Sequence, residues 1–205
     1  MTLPNKLTIG RILAVPAMVV VASIPALRDN NIFTFNGGYL TYANFINFIL
    51  FILASVTDFL DGYLARKYNL VTTFGKFADP LADKMLVLTS FLILMGQNLT
   101  VPIEGWPSEL SITPMWAVAI ILVRELMVSG IRLVAAQKGI VIAAGWSGKV
   151  KTFVTMIALI FVFIATLNVV LAVMALVLVY ISVILTVYSG IVYFNNSKEM
   201  LLESV

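Results

Sequence analysis

Four aspartates stand within 26 residues of one another: Asp58, Asp61, Asp79 and Asp83. The first two are spaced i, i+3 and the last two i, i+4, so on helices each pair shares one face. Two such faces joined by a turn can aim four carboxylates at one spot. Clustered carboxylates repel one another and are costly near lipid, and divalent cations are the natural compensation. Oxygen ligands without His or Cys favour hard ions, Mg²⁺ or Mn²⁺. A pair of such ions clamps phosphoryl oxygens. The plain alternative is ion pairing with Arg66, Lys67, Lys76 and Lys84 at a wet interface. It would suffice for any one aspartate, but not for four on this spacing.

The rest of the composition narrows the chemistry. The chain has 205 residues and neither His nor Cys. Thiolate nucleophiles, disulfides and Cys-bound zinc are excluded, and so is the usual neutral-pH proton shuttle. Carboxylates, lysines and hydroxyls must carry any acid–base work. Apolar residues make up 61% of the chain and charged residues 11%. Soluble domains carry about 25% charge, so the chain reads as an integral membrane protein.

The elements that position the aspartates follow from the charge-free stretches. A span needs about 20 mostly apolar residues. Residues 12–27, about 41–58, 85–103, 110–136 and the uncharged run 152–197 supply six helices, the last run turning at Asn168. Pro16, Pro25 and the lack of a small-residue cleavage pattern make the first stretch a span rather than a leader. Lys and Arg stay on the cytoplasmic side. With both termini inside, 12 of the 13 cations fall on that side and only Arg28 outside. The expected fold is all-α: one polytopic membrane domain over 1–205. It has six transmembrane helices, N-in/C-in, and an active site at the cytoplasmic ends of the second and third helices.

Small residues accompany the acids. Gly62 follows Asp61, Ala65 comes three later, and Gly75 lies four before Asp79. A helix glycine costs roughly 1 kcal/mol and suits a place where a ligand or another backbone approaches closely. Close helix packing would use the same residues. Together these positions spell D-x2-D-G-x2-A-R-x8-G-x3-D-x3-D, from Asp58 to Asp83 with Arg66 at its centre. That pattern resembles, without departure, the signature of the CDP-alcohol phosphatidyltransferases. The resemblance implies a six-helix membrane enzyme and a homodimer, with two divalent cations bound by Asp58, Asp61, Asp79 and Asp83. It implies Asp83 as general base and a CDP site lined by Asp61, Gly62, Ala65, Arg66 and Gly75. It also suggests that Asn5 and Thr8 approach the nucleotide. With Arg11 they recur every three residues on one helix side. Helix capping by Thr8 and snorkelling by Arg11 are the plain readings.

Three further stretches, LPNKLTIGRILAVP at the start, RELMVSGIR (124–132) and GKVKT (148–152), resemble the bacterial branch of that family that uses sn-glycerol 3-phosphate. The substrates implied are CDP-diacylglycerol and glycerol 3-phosphate, in the inner or plasma membrane of a bacterium, with no nucleic acid. The acceptor phosphate needs cations, and Arg124, Arg132, Lys149 and Lys151 are the candidates. A charge well inside an apolar span is costly without a role, and that applies to Arg124. Glu125 is seven residues from Arg132 on nearly the same face, so that pair has a structural reading too. Lys84, next to the base, is a weaker candidate. Two rivals remain open: another acceptor alcohol (inositol phosphate, serine or phosphatidylglycerol), and a small ion transporter with an acidic path.

Overall fold

The computed structural model describes residues 3–35, 38–68, 72–101, 110–137 and 145–202. Most of them are helical. Helix α1 (Leu3–Ser23) is followed by a short α2 (Pro25–Arg28) and a hairpin of β1 (Asn31–Phe35) and β2 (Gly38–Thr41). Then come α3 (Tyr42–Lys67), α4 (Thr73–Met95), α5 (Met115–Gln137), α6 (Trp146–Phe163) and α7 (Val169–Leu202). Between α4 and α5, β3 (Thr100–Val101) pairs with β4 (Leu110–Ser111). The two antiparallel ribbons are a departure from the all-α expectation. The stretch 31–35 carries a short apolar–polar alternation, and Phe33, Thr34 and Phe35 pair with Leu40, Tyr39 and Gly38.

Local chemistry sets the helix ends. Thr72 Oγ1 accepts from Gly75 N at 3.0 Å and so caps α4. The helix therefore starts twelve residues before the charge-free stretch beginning at 85. Asn168 turns the chain as expected: its side chain accepts from Val170 N at 3.0 Å at the head of α7. Helix α1 begins at Leu3, so Thr8 lies inside it and caps nothing.

Four helical segments are long and apolar enough to cross a membrane: Asn5–Ser23, Tyr42–Gly62, Trp146–Leu167 and Val169–Lys198. Helices α4 and α5, of 23 residues each, would measure about 35 Å. They carry Asp79, Asp83 and Lys84, and Arg124, Glu125 and Arg132, respectively.

The bundle is cemented at mid-height by buried apolar side chains from α1, α3, α4, α5, α6 and α7, including Met18, Phe51, Phe91, Ile121, Leu159 and Val179. The Phe51 and Phe163 rings lie 5.8 Å apart. A smaller cluster, Val128, Ile131 and Tyr193, joins α5 to α7. At the hairpin end, Asn44 and Gln97 exchange reciprocal amide hydrogen bonds of 3.0 and 2.6 Å between α3 and the residues just after α4.

Gly38 presses the hairpin against the α6–α7 turn. A Cβ there would sit 2.0 Å from the Leu167 carbonyl oxygen and 2.5 Å from its carbon. Gly38→Ala therefore forces the hairpin off the turn, at an expected cost of about 1–3 kcal/mol. Thermal unfolding in detergent should register it as a lower midpoint. The aspartates from Asp58 to Asp83 lie at the other end of the bundle and should be undisturbed.

Candidate active site

The signature aspartates sit where α1, α3 and α4 meet. Arg11 of α1 is fully buried and bridges two of them: Nη1 to Asp58 Oδ1 and Nη2 to Asp61 Oδ2, both at 2.5 Å. One turn earlier, Thr8 donates to Asp79 Oδ1 at 2.6 Å. Another turn back, Asn5 Oδ1 accepts from the Thr72 hydroxyl at 2.8 Å. The three-residue spacing thus does what it suggested: one side of α1 carries Asn5, Thr8 and Arg11 onto α3 and α4. Arg11 does not snorkel. Its head is interior, where an unpaired guanidinium would be untenable and a paired one fixes helix register.

Gly75 closes this cluster. A Cβ there would lie 3.2 Å from Thr72 Oγ1 and 3.6 Å from both Asn5 Oδ1 and Asp79 Oδ2. Glycine lets the first turn of α4 come close to α1 and leaves polar atoms around the gap. Gly62 is half-buried on α3 beside the buried Asp61. The side chains of Ala65 and Arg66, and that of Lys76, lie outside the described residues.

Asp83 lies one turn beyond Asp79. Its Oδ1 is buried and has no hydrogen-bond partner among the described residues. Asp58 and Asp83 both open onto a cavity of about 810 Å³ between α3, α4, α5, α6 and α7. Arg124, Arg132, Lys149 and Lys151 line the same cavity. All four cations singled out from the sequence therefore share a space with two of the four signature carboxylates.

Glu125 and hydroxyls of α5 and α7 hold the cations. Glu125 pairs with Arg124 at 3.0 Å and with the Lys151 ammonium. It makes no ion pair with Arg132, because one position places Glu125 beside α6 and the other places Arg132 beside α7. Arg132 Nε instead donates to the Tyr193 hydroxyl at 3.3 Å. Lys84 donates to Ser129 at 2.5 Å. Asp58 and Asp61 pair with Arg11 rather than with Lys84.

The donor chemistry suits hard divalent cations: the acids are all carboxylates, and Asp83 presents an orphaned buried oxygen. Among the described residues no three acidic side chains converge on one point. Arg11 and Thr8 each take one oxygen of their carboxylates in the arrangement seen.

The sequence matches the family model of CDP-alcohol phosphatidyltransferase over residues 1–188. The chain belongs to the CDP-alcohol phosphatidyltransferase family. Among its relatives is the CDP-diacylglycerol–glycerol-3-phosphate 3-phosphatidyltransferase of Bacillus subtilis, 38% identical over 204 residues and covering 98% of each chain. The Escherichia coli protein of the same name is 30% identical over 98% of this chain and 97% of its own. A probable phosphatidylglycerophosphate synthase of Mycobacterium tuberculosis is 35% identical over 93% of this chain and 79% of its own.

Several residues that shape the site escaped sequence reasoning. Ser129 of α5, and Ser189 and Tyr193 of α7, hold the basic side chains. The available signal was a hydroxyl at every third or fourth position of α7, at 182, 186, 189, 193 and 197.

Proposed function

We propose that this phosphatidyltransferase moves the phosphatidyl group of CDP-diacylglycerol onto sn-glycerol 3-phosphate, giving phosphatidylglycerol phosphate and CMP. One observation carries the assignment of the site: Asp58 and Asp83 share a cavity with Arg124, Arg132, Lys149 and Lys151. A carboxylate base beside a cluster of cations suits an acceptor that brings both a hydroxyl and a dianionic phosphate.

In this reading the phosphate of the acceptor rests on Arg124, Arg132, Lys149 and Lys151, where charge-assisted hydrogen bonds are strong. That directs its primary hydroxyl toward Asp83. A free alcohol is a poor nucleophile at neutral pH, and a base within hydrogen-bond reach takes its proton as attack proceeds. The alkoxide oxygen bonds to the diacylglycerol-linked phosphorus, and the bond from that phosphorus to CMP breaks. Asn5, Thr8, Asp61, Gly62, Ala65, Arg66 and Gly75 orient the nucleotide. Asp58, Asp61, Asp79 and Asp83 would hold two divalent cations, Mg²⁺ or Mn²⁺, which when bound neutralise the pyrophosphate and the departing CMP.

The same reading makes α4 and α5 spans, six in all, with both termini and the site on the cytoplasmic side of a bacterial inner membrane. Asp83 and Lys84 of α4 and Arg124, Glu125 and Arg132 of α5 line the cavity, while large apolar residues lie outward: Phe77 and Leu81 on α4, Val123, Leu126 and Leu133 on α5 are exposed. Lipid is the solvent such faces fit. Residues 1–205 form one domain, and association as a homodimer is carried by the resemblance alone.

Purified protein with CDP-diacylglycerol and Mg²⁺, offered each acceptor in turn, tests the assignment. CMP should be released with glycerol 3-phosphate and not with inositol phosphate or serine. Arg124→Gln should raise the KM for glycerol 3-phosphate on the order of tenfold or more. Turnover with serine or inositol phosphate and none with glycerol 3-phosphate would sink it.

A further inference from the structure

Helix α7 looks like a plain apolar span, yet one of its faces is polar and buried. Ser182, Thr186, Ser189, Tyr193 and Ser197 are all interior, and their spacing keeps them on one side. The first two satisfy themselves locally. Ser182 donates to Val179 O at 2.8 Å and Thr186 to Ser182 O at 2.6 Å, as hydroxyls in apolar helices usually do.

Nearer the cavity the pattern changes, and the hydroxyls receive bonds from another helix. Ser189 donates to Thr186 O at 3.2 Å, leaving its oxygen to accept from Arg124 Nη2 at 3.1 Å. Tyr193 accepts from Arg132 Nε at 3.3 Å, and its ring lies 5.6 Å from the Arg132 guanidinium carbon. Between them, Gly190 makes room for the Arg124 stem: a Cβ there would sit 3.3 Å from Arg124 Cγ. Both arginines, Ser189 and Tyr193 line the cavity that Asp83 opens onto.

We infer that the Ser189–Gly190–Tyr193 stretch of α7 positions Arg124 and Arg132 for the acceptor. It sets the separation and angle of the two guanidinium groups, and with them the preference for a small phosphomonoester alcohol. Arginine side chains lose much rotamer freedom when they close on a ligand. Holding both against α7 beforehand removes that loss from the binding step. Ser189 and Tyr193 touch the arginines rather than the reacting atoms, so they are positioning residues. The inference rests on the acceptor-phosphate reading above.

Tyr193→Phe tests it while keeping the ring over Arg132. The KM for glycerol 3-phosphate should rise roughly three- to tenfold, with kcat within about twofold and the KM for CDP-diacylglycerol unchanged. Ser189→Ala should act the same way through Arg124. In an Arg132→Gln background, Tyr193→Phe should add nothing, because its effect runs through that arginine. An unchanged acceptor KM, a fall in kcat alone, or an equal rise in the Arg132→Gln background would each overturn the inference. If Arg124→Gln and Arg132→Gln themselves leave the acceptor KM unchanged, the acceptor site has been misplaced and the positioning role falls with it. If they raise it and Tyr193→Phe does not, only the role of α7 fails.

Discussion

Asp83→Asn should lower CMP release from CDP-diacylglycerol by about 10²- to 10⁴-fold, the range general-base catalysis supplies. The substitution keeps the size of the side chain and removes its charge and proton affinity; saturating Mg²⁺ offsets the weaker hold of an amide on a divalent cation. Asparagine has the size of aspartate and keeps a carbonyl oxygen for hydrogen bonding, but it cannot take the proton of an attacking alcohol. Four features single out Asp83. The chain has no His to act instead. The side chain faces the cavity that holds the cations. Its Oδ1 has no partner among the described residues. Arg11 engages Asp58 and Asp61, and Thr8 engages Asp79, whereas Asp83 makes no ion pair with α1 among the described residues. Initial rates of CMP release at saturating CDP-diacylglycerol, glycerol 3-phosphate and Mg²⁺ make the comparison. A variant with full activity would remove Asp83 from the role of base.

How much of this was legible in the sequence depends on whether the signal is local. The aspartate spacing is local, since i, i+3 and i, i+4 define a helix face before any packing is known. The turn at Asn168 is local too, because the side chain that caps α7 belongs to the residue itself. The charge-free stretch beginning at 85 marks only the apolar part of α4; the helix itself begins at Thr73 and carries Asp79 and Asp83 near its start, as their spacing expects. Thr72 with Gly75 three residues on marks the cap, and a helix can carry Asp79 and Asp83 when they face inward.

What stayed hidden is what packing decides. Arg11 near a helix start looks like an anchor at the membrane surface. Only α3 and α4, which close over α1, make it interior. Glu125 could have met Arg132 by spacing alone, yet Lys151 reaches across from α6 to Glu125 while Arg132 turns to Tyr193 of α7. Hydroxyls in a long apolar run satisfy themselves within the helix, so Ser189 and Tyr193 leave little trace in hydropathy. The strands Asn31–Phe35 and Gly38–Thr41 show only through a short alternation, which the docking of Gly38 on Leu167 then fixes.

Arg11→Met should destabilise the metal-free protein by about 3–5 kcal/mol, the usual cost of removing one partner from a buried ion pair. Met is close to the arginine stem in length and shape, so the cavity left behind is small and the lost charge dominates. Asp61, 3% exposed, carries most of the effect; Asp58, 36% exposed, is partly screened by solvent. Without the guanidinium, the two carboxylates face Asp79 with no positive charge between them. A divalent cation held by the same aspartates would supply that charge. Added Mg²⁺ should therefore raise the unfolding midpoint of Arg11→Met more than that of the parent. Arg11→Lys should fall between the two, because a single ammonium cannot reach both carboxylates as a fork does. Thermal unfolding in detergent, with chelator and with Mg²⁺, reads all of this without any turnover. An equal deficit in both conditions would mean that Arg11 braces α1 against α3 and has no part in the electrostatics of divalent-cation binding by the signature aspartates. A deficit that Mg²⁺ narrows would place the buried guanidinium and the metal in one electrostatic system. The residue that α1 contributes would then belong to the site as much as the signature does.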